Sequence, residues 1–217
     1  GGHVESVTAI PEDGIYKVYF LVRREVDGTT RYYVEQMQDR HLDDPADSFF
    51  LDSAVTFDEP APTTNIVGLD HLEGHFVTVF ADGKVFRDLR VSGGGIAVPE
   101  PVQKGVVGLG YSARVETLPV RLDAQPATGL GRVRRIGAVT LKVHKTLGLK
   151  TGTDSENLVS FKDLAVPANG VADQWVTGDV RVAIFPQWDK QGSIIVEQDQ
   201  PLPLTILSAA PEVEFGG

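Results

Sequence analysis

The sequence predicts an all-β protein: a hairpin module followed by small β-barrel or sandwich modules, with little helix. Three observations carry this. Apolar residues recur at period two along much of the chain, Asp-Gly pairs stand between such runs where tight hairpin turns need them, and no helical apolar period lasts beyond a turn or two. With 217 residues and 41% hydrophobic content, the chain buries a real core as one large β-domain or two small ones. It contains no cysteine, which excludes a disulfide scaffold, a zinc finger, a thiol nucleophile and an iron–sulfur site. No apolar stretch approaches the roughly 20 residues that a bilayer crossing needs, and no basic segment leads into an apolar run as in a signal peptide. The chain is expected to be soluble. Gly1-Gly2 ahead of a strand-like sequence reads as an excised start, so a longer parent is expected.

Taken in order, Val4 to Ile10 alternates apolar and polar residues, and Pro11 to Gly14 closes it as a turn. Ile15 to Val26 is a longer strand, Asp27-Gly28 a hairpin turn and Arg31 to Glu35 the returning strand. Asp39 to Asp47 is an acidic loop. Phe49, Phe50 and Leu51 then re-enter a core, and Ser53 to Phe57 forms another strand. Asp58 to Thr64, with Pro60 and Pro62, reads as a linker and sets a module boundary. The expected modules are residues 1–60, a β-hairpin unit; 61–120, a small β-barrel; and 121–217, a C-terminal β-module.

Gly68-Leu-Asp-His-Leu-Glu-Gly74 is the sharpest local signal. Leu69 and Leu72 are spaced for one helical turn with Asp70 and Glu73 exposed, and Gly74 supplies the left-handed residue that ends it. His75 to Ala81 follows as a strand with apolar residues on both faces, covered on both sides, and Asp82-Gly83 joins it to Lys84 to Val91. Gly93-Gly-Gly95 and Pro99-Glu-Pro101 punctuate two short strands, and Lys104 to Leu109 and Ser112 to Val120 continue the pattern. Arg132 to Leu149 is the longest basic strand, its Val139, Leu141 and Val143 opposed by Thr140, Lys142 and His144. Val180 to Phe185, Ser193 to Gln198 and Leu202 to Ala209 are further strands, and Pro186 to Gly192 is turn chemistry around Trp188.

A net charge of -10 opposes general nucleic-acid binding, because affinity for the phosphate backbone comes mainly from Lys and Arg displacing counterions. Its distribution says more. Residues 101–150 hold nine basic and two acidic side chains, between acidic segments on either side. Complementary charge of this kind steers the meeting of identical subunits, with Arg132, Arg134, Arg135 and Lys142 on one side and Glu197 and Asp199 on the other. The competing reading is that the segments neutralise one another within one fold.

Residues that could carry chemistry are few. His71, Glu73 and His75 would project together from an extended backbone as metal ligands do, but Gly74 and the helical turn break that geometry, leaving surface histidines beside a cap. Asp39, His41, Asp43, Asp44 and Asp47 offer oxygen ligands of the kind calcium takes, without EF-hand spacing, and Asp before Pro is ordinary turn chemistry. There is no Gly-x-Ser-x-Gly elbow, His-Glu-x-x-His helix, phosphate loop or dinucleotide fingerprint. The expectation is a non-enzyme with no catalytic residue, no metal and no cofactor. Tyr32, Tyr33, Trp175 and Trp188 could stack sugars, although aromatics more often anchor cores and interfaces.

Four stretches resemble the C-terminal part of the tail nozzle or tail-hub proteins of short-tailed bacteriophages, the podoviruses. They are Val18-Tyr-Phe-Leu-Val-Arg-Arg24 through Asp27-Gly28 to Arg31-Tyr-Tyr-Val-Glu35; Gly68 to Gly74 with Ala81-Asp-Gly83; Gly108-Leu-Gly-Tyr-Ser-Ala-Arg-Val-Glu-Thr-Leu-Pro119; and Glu197-Gln-Asp-Gln-Pro-Leu-Pro-Leu-Thr-Ile-Leu207. The resemblance implies a β-propeller followed by β-barrel modules, with Val4 to roughly Phe57 as the propeller's last strands. It implies a virion structural protein in a homo-oligomeric ring, commonly a hexamer, that passes DNA without binding it specifically. Its other partners would be phage tail proteins and adhesion fibres, with no membrane anchor. The alternative expectation is a receptor- or carbohydrate-binding β-module of a tail tip.

Overall fold

The computed structural model describes residues 2–38, 48–120, 133–161, 176–185, 188–189 and 192–216. The acidic loop Asp39–Asp47, Arg132 and Trp175 lie outside the described residues. The described molecule is nearly all β, in small antiparallel sheets, and includes no helix of seven or more residues. It divides into two compact units between Tyr111 and Ser112.

In the first unit, β1 (His3–Glu12), β2 (Ile15–Val26) and β3 (Thr29–Gln36) form a three-stranded antiparallel sheet in that order. Asp13 and Gly14 join β1 to β2, and Asp27 and Gly28 join β2 to β3, with φ of 49° and 82° and of 49° and 69° respectively. Two positive values in a two-residue turn are what a type I′ hairpin requires, and its twist matches that of the strands. Asp82 and Gly83, at 48° and 76°, repeat the device further on.

The second sheet contains β4 (Asp52–Val67), β5 (Phe76–Ala81), β6 (Lys84–Arg90) and β7 (Gly95–Leu109), ordered β4-β7-β5-β6. The expected linker at residues 58–64 is therefore strand, and the expected break at Pro99 to Pro101 is the middle of β7. Proline lacks the N–H of a ladder bond, so it is tolerated where pairing lapses. Here the β4–β7 register jumps from Asp58↔Lys104 to Thr63↔Val102 to Asn65↔Ala97, and all four prolines fall in the gaps. The chain between β4 and β5 makes the expected turn as a 3₁₀ helix at Asp70–Leu72, with Gly74 at φ 80°. Leu69 and Leu72 are fully buried and pack with Ile66, Val77, Val79, Val91 and Val107. On β5 Val79, Phe80 and Ala81 are buried on both faces as anticipated, whereas Phe76 at its start is exposed.

The second unit adds β8 (Ala113–Glu116), β9 (Arg134–Thr146), β10 (Lys150–Gly152), β11 (Val159–Ser160), β12 (Val176–Ala183), β13 (Trp188–Asp189), β14 (Ile195–Gln198) and β15 (Ile206–Phe215). One sheet runs β11-β10-β14-β8; in the other β9 is central, with β12 and β13 on one side and β15 on the other. The alternation read on β9 holds, since Val139, Leu141 and Val143 are buried while Lys142 and His144 are exposed. Their core partners are Val180, Val182, Ile194 and Val196. β15 passes through Pro211, which sits opposite Val139 on an outer strand, where a missing donor is affordable.

Close strand packing sets one sharp test. A Cβ on Gly105 would stand 2.4 Å from the Phe80 carbonyl oxygen, while one on Gly137 would meet nothing within 4 Å. Gly105→Ala is expected to lower unfolding free energy by about 1–3 kcal/mol in urea titration, and Gly137→Ala to hold or raise it.

Candidate functional site

The densest polar chemistry of the first unit lies where the β1–β3 sheet meets β4. Even-numbered residues of β2 face inward here, and Val22, Arg24 and Val26 are buried. Arg24 is only 4% exposed. Its Nε and Nη2 donate to the two Glu35 carboxylate oxygens at 2.7 and 2.9 Å, and Nη2 also donates to Asp52 at 3.1 Å. The Ser53 hydroxyl donates to Glu35 at 3.2 Å. The Glu35 hydrogen bonds, with the charge of Asp52 beside them, hold the guanidinium above its usual pKa against the opposing effect of burial. Ser53 itself takes φ 51°, in a register irregularity between Asp52 and Val55 that turns β4 at this junction.

The two histidines are struts. His71 donates from Nε2 to the Ser53 carbonyl at 3.0 Å, and His75 donates from Nε2 to the Glu25 carbonyl at 2.8 Å. Both residues are half-buried beside the 3₁₀ turn. Glu73, between them, accepts from the backbone amides of Gly93 and Gly94 at 3.1 and 2.8 Å, so the Gly93-Gly-Gly95 turn is held by a carboxylate. The three side chains thus diverge to separate partners, and no group of three potential ligands gathers among the described residues.

Beside this junction is a cavity of about 660 Å³ lined by Phe20, Tyr33, Met37, Phe49, Phe50 and Tyr111, with Glu35, Asp52 and His71 at its polar side. Tyr33 meets His71 edge-on, ring centroids 6.4 Å apart. Successive strand residues point to opposite faces, so Tyr32 is exposed on the far side of the sheet from Tyr33. Trp188 is exposed in the second unit. Tyr32 and Tyr33 therefore form no shared stacking platform. Ser53 and His71 form no nucleophile–base pair in this arrangement, because the ring contacts the Ser53 carbonyl and the hydroxyl is directed at Glu35.

Of the charges singled out from the sequence, Arg135 and Asp199 make ion pairs inside the second unit. Arg134 is 8% exposed and lies over the Phe215 ring at 6.0 Å, which corrects its expected place on a subunit surface. Arg135 faces Glu214 at 3.9 Å, and Lys150 contacts Asp199 at 2.5 Å. Glu197 sits in register between Lys150 and Arg114 on neighbouring strands. Lys142 is exposed on β9. The basic segment and the acidic C-terminal segment are thus cross-strand neighbours.

The chain matches no protein-family model and no curated protein.

Sequence reasoning missed the Arg24–Glu35–Asp52 cluster, because Asp52 arrives from a strand that no local pattern ties to the hairpin. It also missed the exposure of β1, whose apolar positions carried the signal: Val4, Val7 and Ile10 alternate with polar residues, yet all three are exposed.

Two outcomes follow from these geometries. Arg24→Ala removes a buried guanidinium and its hydrogen bonds to Glu35 and to the half-exposed Asp52, and is expected to cost about 1–3 kcal/mol in chemical denaturation. Glu212 accepts two hydrogen bonds from Arg181, at 2.6 and 2.7 Å, which hold its carboxyl below the usual glutamate range. A depressed folded-state pKa stabilises fully above the ordinary value and loses its effect as pH falls through the depressed one. Carboxyl NMR titration should place Glu212 below a model glutamate, and Arg181→Ala should return it to normal.

Proposed function

We propose that this chain is a non-enzymatic structural subunit of a bacteriophage tail ring, a nozzle or hub that forms part of the DNA conduit and mounts adhesion fibres in the virion. The observation that carries the reading is the β1–β3 sheet. Val4, Val7, Ile10, Ile15, Tyr16, Tyr32 and Val34 on it are between 43% and 76% exposed. Val4, Val7 and Tyr16 lie on one face and Ile10, Ile15, Tyr32 and Val34 on the other, and a sheet with apolar side chains exposed on both faces is suited to assembly. The four stretches that resemble tail nozzle proteins add the kind of assembly, and one of them is the β2–β3 hairpin of this sheet.

The charge supports the conduit. A wall that passes DNA must avoid tight phosphate contacts, since Lys and Arg repeated around a ring would arrest the polymer. A subunit of net charge -10 meets that need. Pairing of the basic segment within the second unit leaves fewer of its cations for phosphate.

The cavity at the β4 junction favours one other reading, a carbohydrate-binding module of a tail tip, since aromatic walls beside the half-exposed carboxylate of Asp52 suit a sugar. Native mass spectrometry across a concentration series separates the two. A ring is expected at high concentration, with six copies; a stable monomer that binds glycans on an array would overturn the conduit.

A further inference from the structure

The backbone of the three-stranded sheet leaves two rows of polar groups unused. Among the described residues, β1 pairs only with β2, and β3 only with β2. Hydrogen-bonded and non-bonded pairs alternate along an antiparallel ladder, starting from the bonded pair that closes a two-residue turn. From Glu12↔Ile15, the bonded residues of β1 are Ile10, Thr8 and Ser6, and the backbone groups of Val7 and Ala9 point outward. Pro11 also falls at an outward position, where its missing N–H disturbs no ladder bond. From Val26↔Thr29, the bonded residues of β3 are Arg31, Tyr33 and Glu35, and those of Thr30, Tyr32, Val34 and Gln36 face outward. The Met37 amide bonding to the Val18 carbonyl at 2.8 Å continues the same alternation.

Soluble proteins blunt exposed edges with charge, proline or bulges. Here β6 carries Lys84, Arg87 and Arg90 on its edge, and β15 carries Pro211, Glu212 and Glu214. In contrast, Ser6-Val-Thr-Ala-Ile10 of β1 and Tyr32-Tyr-Val34 of β3 hold no charge and no proline. The irregularity in β1 lies before this run, between Val4 and Ser6.

We propose that the open edge of β1 pairs with the open edge of β3 of a second copy of this chain, in parallel, so that the sheets of successive copies continue as one. The inference rests on the ring reading and names the contact that would build it. β1 and β3 run in the same direction, each antiparallel to β2. A rotation about an axis near the strand direction therefore presents β3 of one copy to β1 of the next in parallel, and a head-to-tail contact of that kind is what closes a ring. Pairing β1 with β1 would be self-complementary and stop at two copies. Within one copy Glu5 is already bonded to Arg23 at 2.7 Å and Glu12 to Lys17 at 3.1 Å, so the unlike pair rests on the uncharged runs and the strand directions and not on charge. A register that keeps faces matched sets Ser6, Thr8 and Ile10 beside Tyr32, Val34 and Gln36, with Val7 beside Tyr33.

Because the chain lacks cysteine, introduced thiols report on this contact alone. The full chain carrying Thr8→Cys and Val34→Cys, treated with a short bismaleimide where the ring forms, is expected to give a covalent ladder ending at the ring's copy number. Dimers from Thr8→Cys alone, without a ladder from the double variant, would mean that β1 meets β1 and overturn the proposal. A ring by native mass with no cross-link from the double variant would also overturn it while leaving the ring reading intact; monomers at every concentration would remove both. Ala9→Pro deletes only an outward N–H, so it should weaken assembly by about tenfold or more with the circular dichroism spectrum and Tm unchanged. Undiminished assembly of that variant would count against the β1 edge.

Discussion

Every strand carries two rows of backbone donors and acceptors, and a protein made of small sheets has to place the outer rows somewhere. In a large sheet or a closed barrel most rows are internal. Here the sheets hold three or four strands each, so the number of edge rows is high for the size of the chain. Much of the architecture answers that demand. β2, β5, β7 and β9 take the inner positions and carry buried apolar residues, while outer strands such as β6 and β15 carry the charges and the proline that discourage further pairing. Among the described residues the edges of β1 and β3 are open, with uncharged runs at Ser6–Ile10 and Tyr32–Val34.

The β1–β3 sheet is anchored to the rest of its unit by polar groups as well as packing. Arg24 connects Glu35 on β3 with Asp52 at the start of β4, and His75 reaches from the start of β5 to the Glu25 carbonyl on β2. A buried guanidinium gains little net stability over an apolar residue of similar size, but losing one of its partners is costly. Such a contact works as a register pin: it admits one placement of the hairpin on β4. A sheet held this way presents its free edges at a defined angle, a requirement for any ring that must close.

Charge illustrates how folding reassigns a sequence-level pattern. The basic stretch 101–150 and the acidic C-terminal stretch look complementary between subunits, yet β9, β10, β14 and β15 bring them together within one unit, as Arg135 with Glu214 and Lys150 with Asp199 show. Cross-strand neighbours lie about 5 Å apart, so intramolecular pairs satisfy these charges before any partner arrives. The apolar edge, which has no internal partner, is left as the stronger candidate for contact between copies.

What the sequence determined by itself was local: period-two runs, the Asp-Gly pairs at 27–28 and 82–83 that became type I′ turns, and the turn of Leu69 to Gly74. These depend on dihedral preferences and side-chain alternation within a few residues, and such information survives without a partner strand. The tertiary structure alone decided that β4 and β7 run through their prolines, that His71 and His75 are struts, and that Arg24 meets Asp52. Those outcomes need strands far apart in sequence to pair in a particular register. A proline stops a strand only where its missing N–H is needed, and a charge is a surface group only until a neighbour 28 or 81 residues away covers it, as Asp52 does for Arg24 and Phe215 for Arg134.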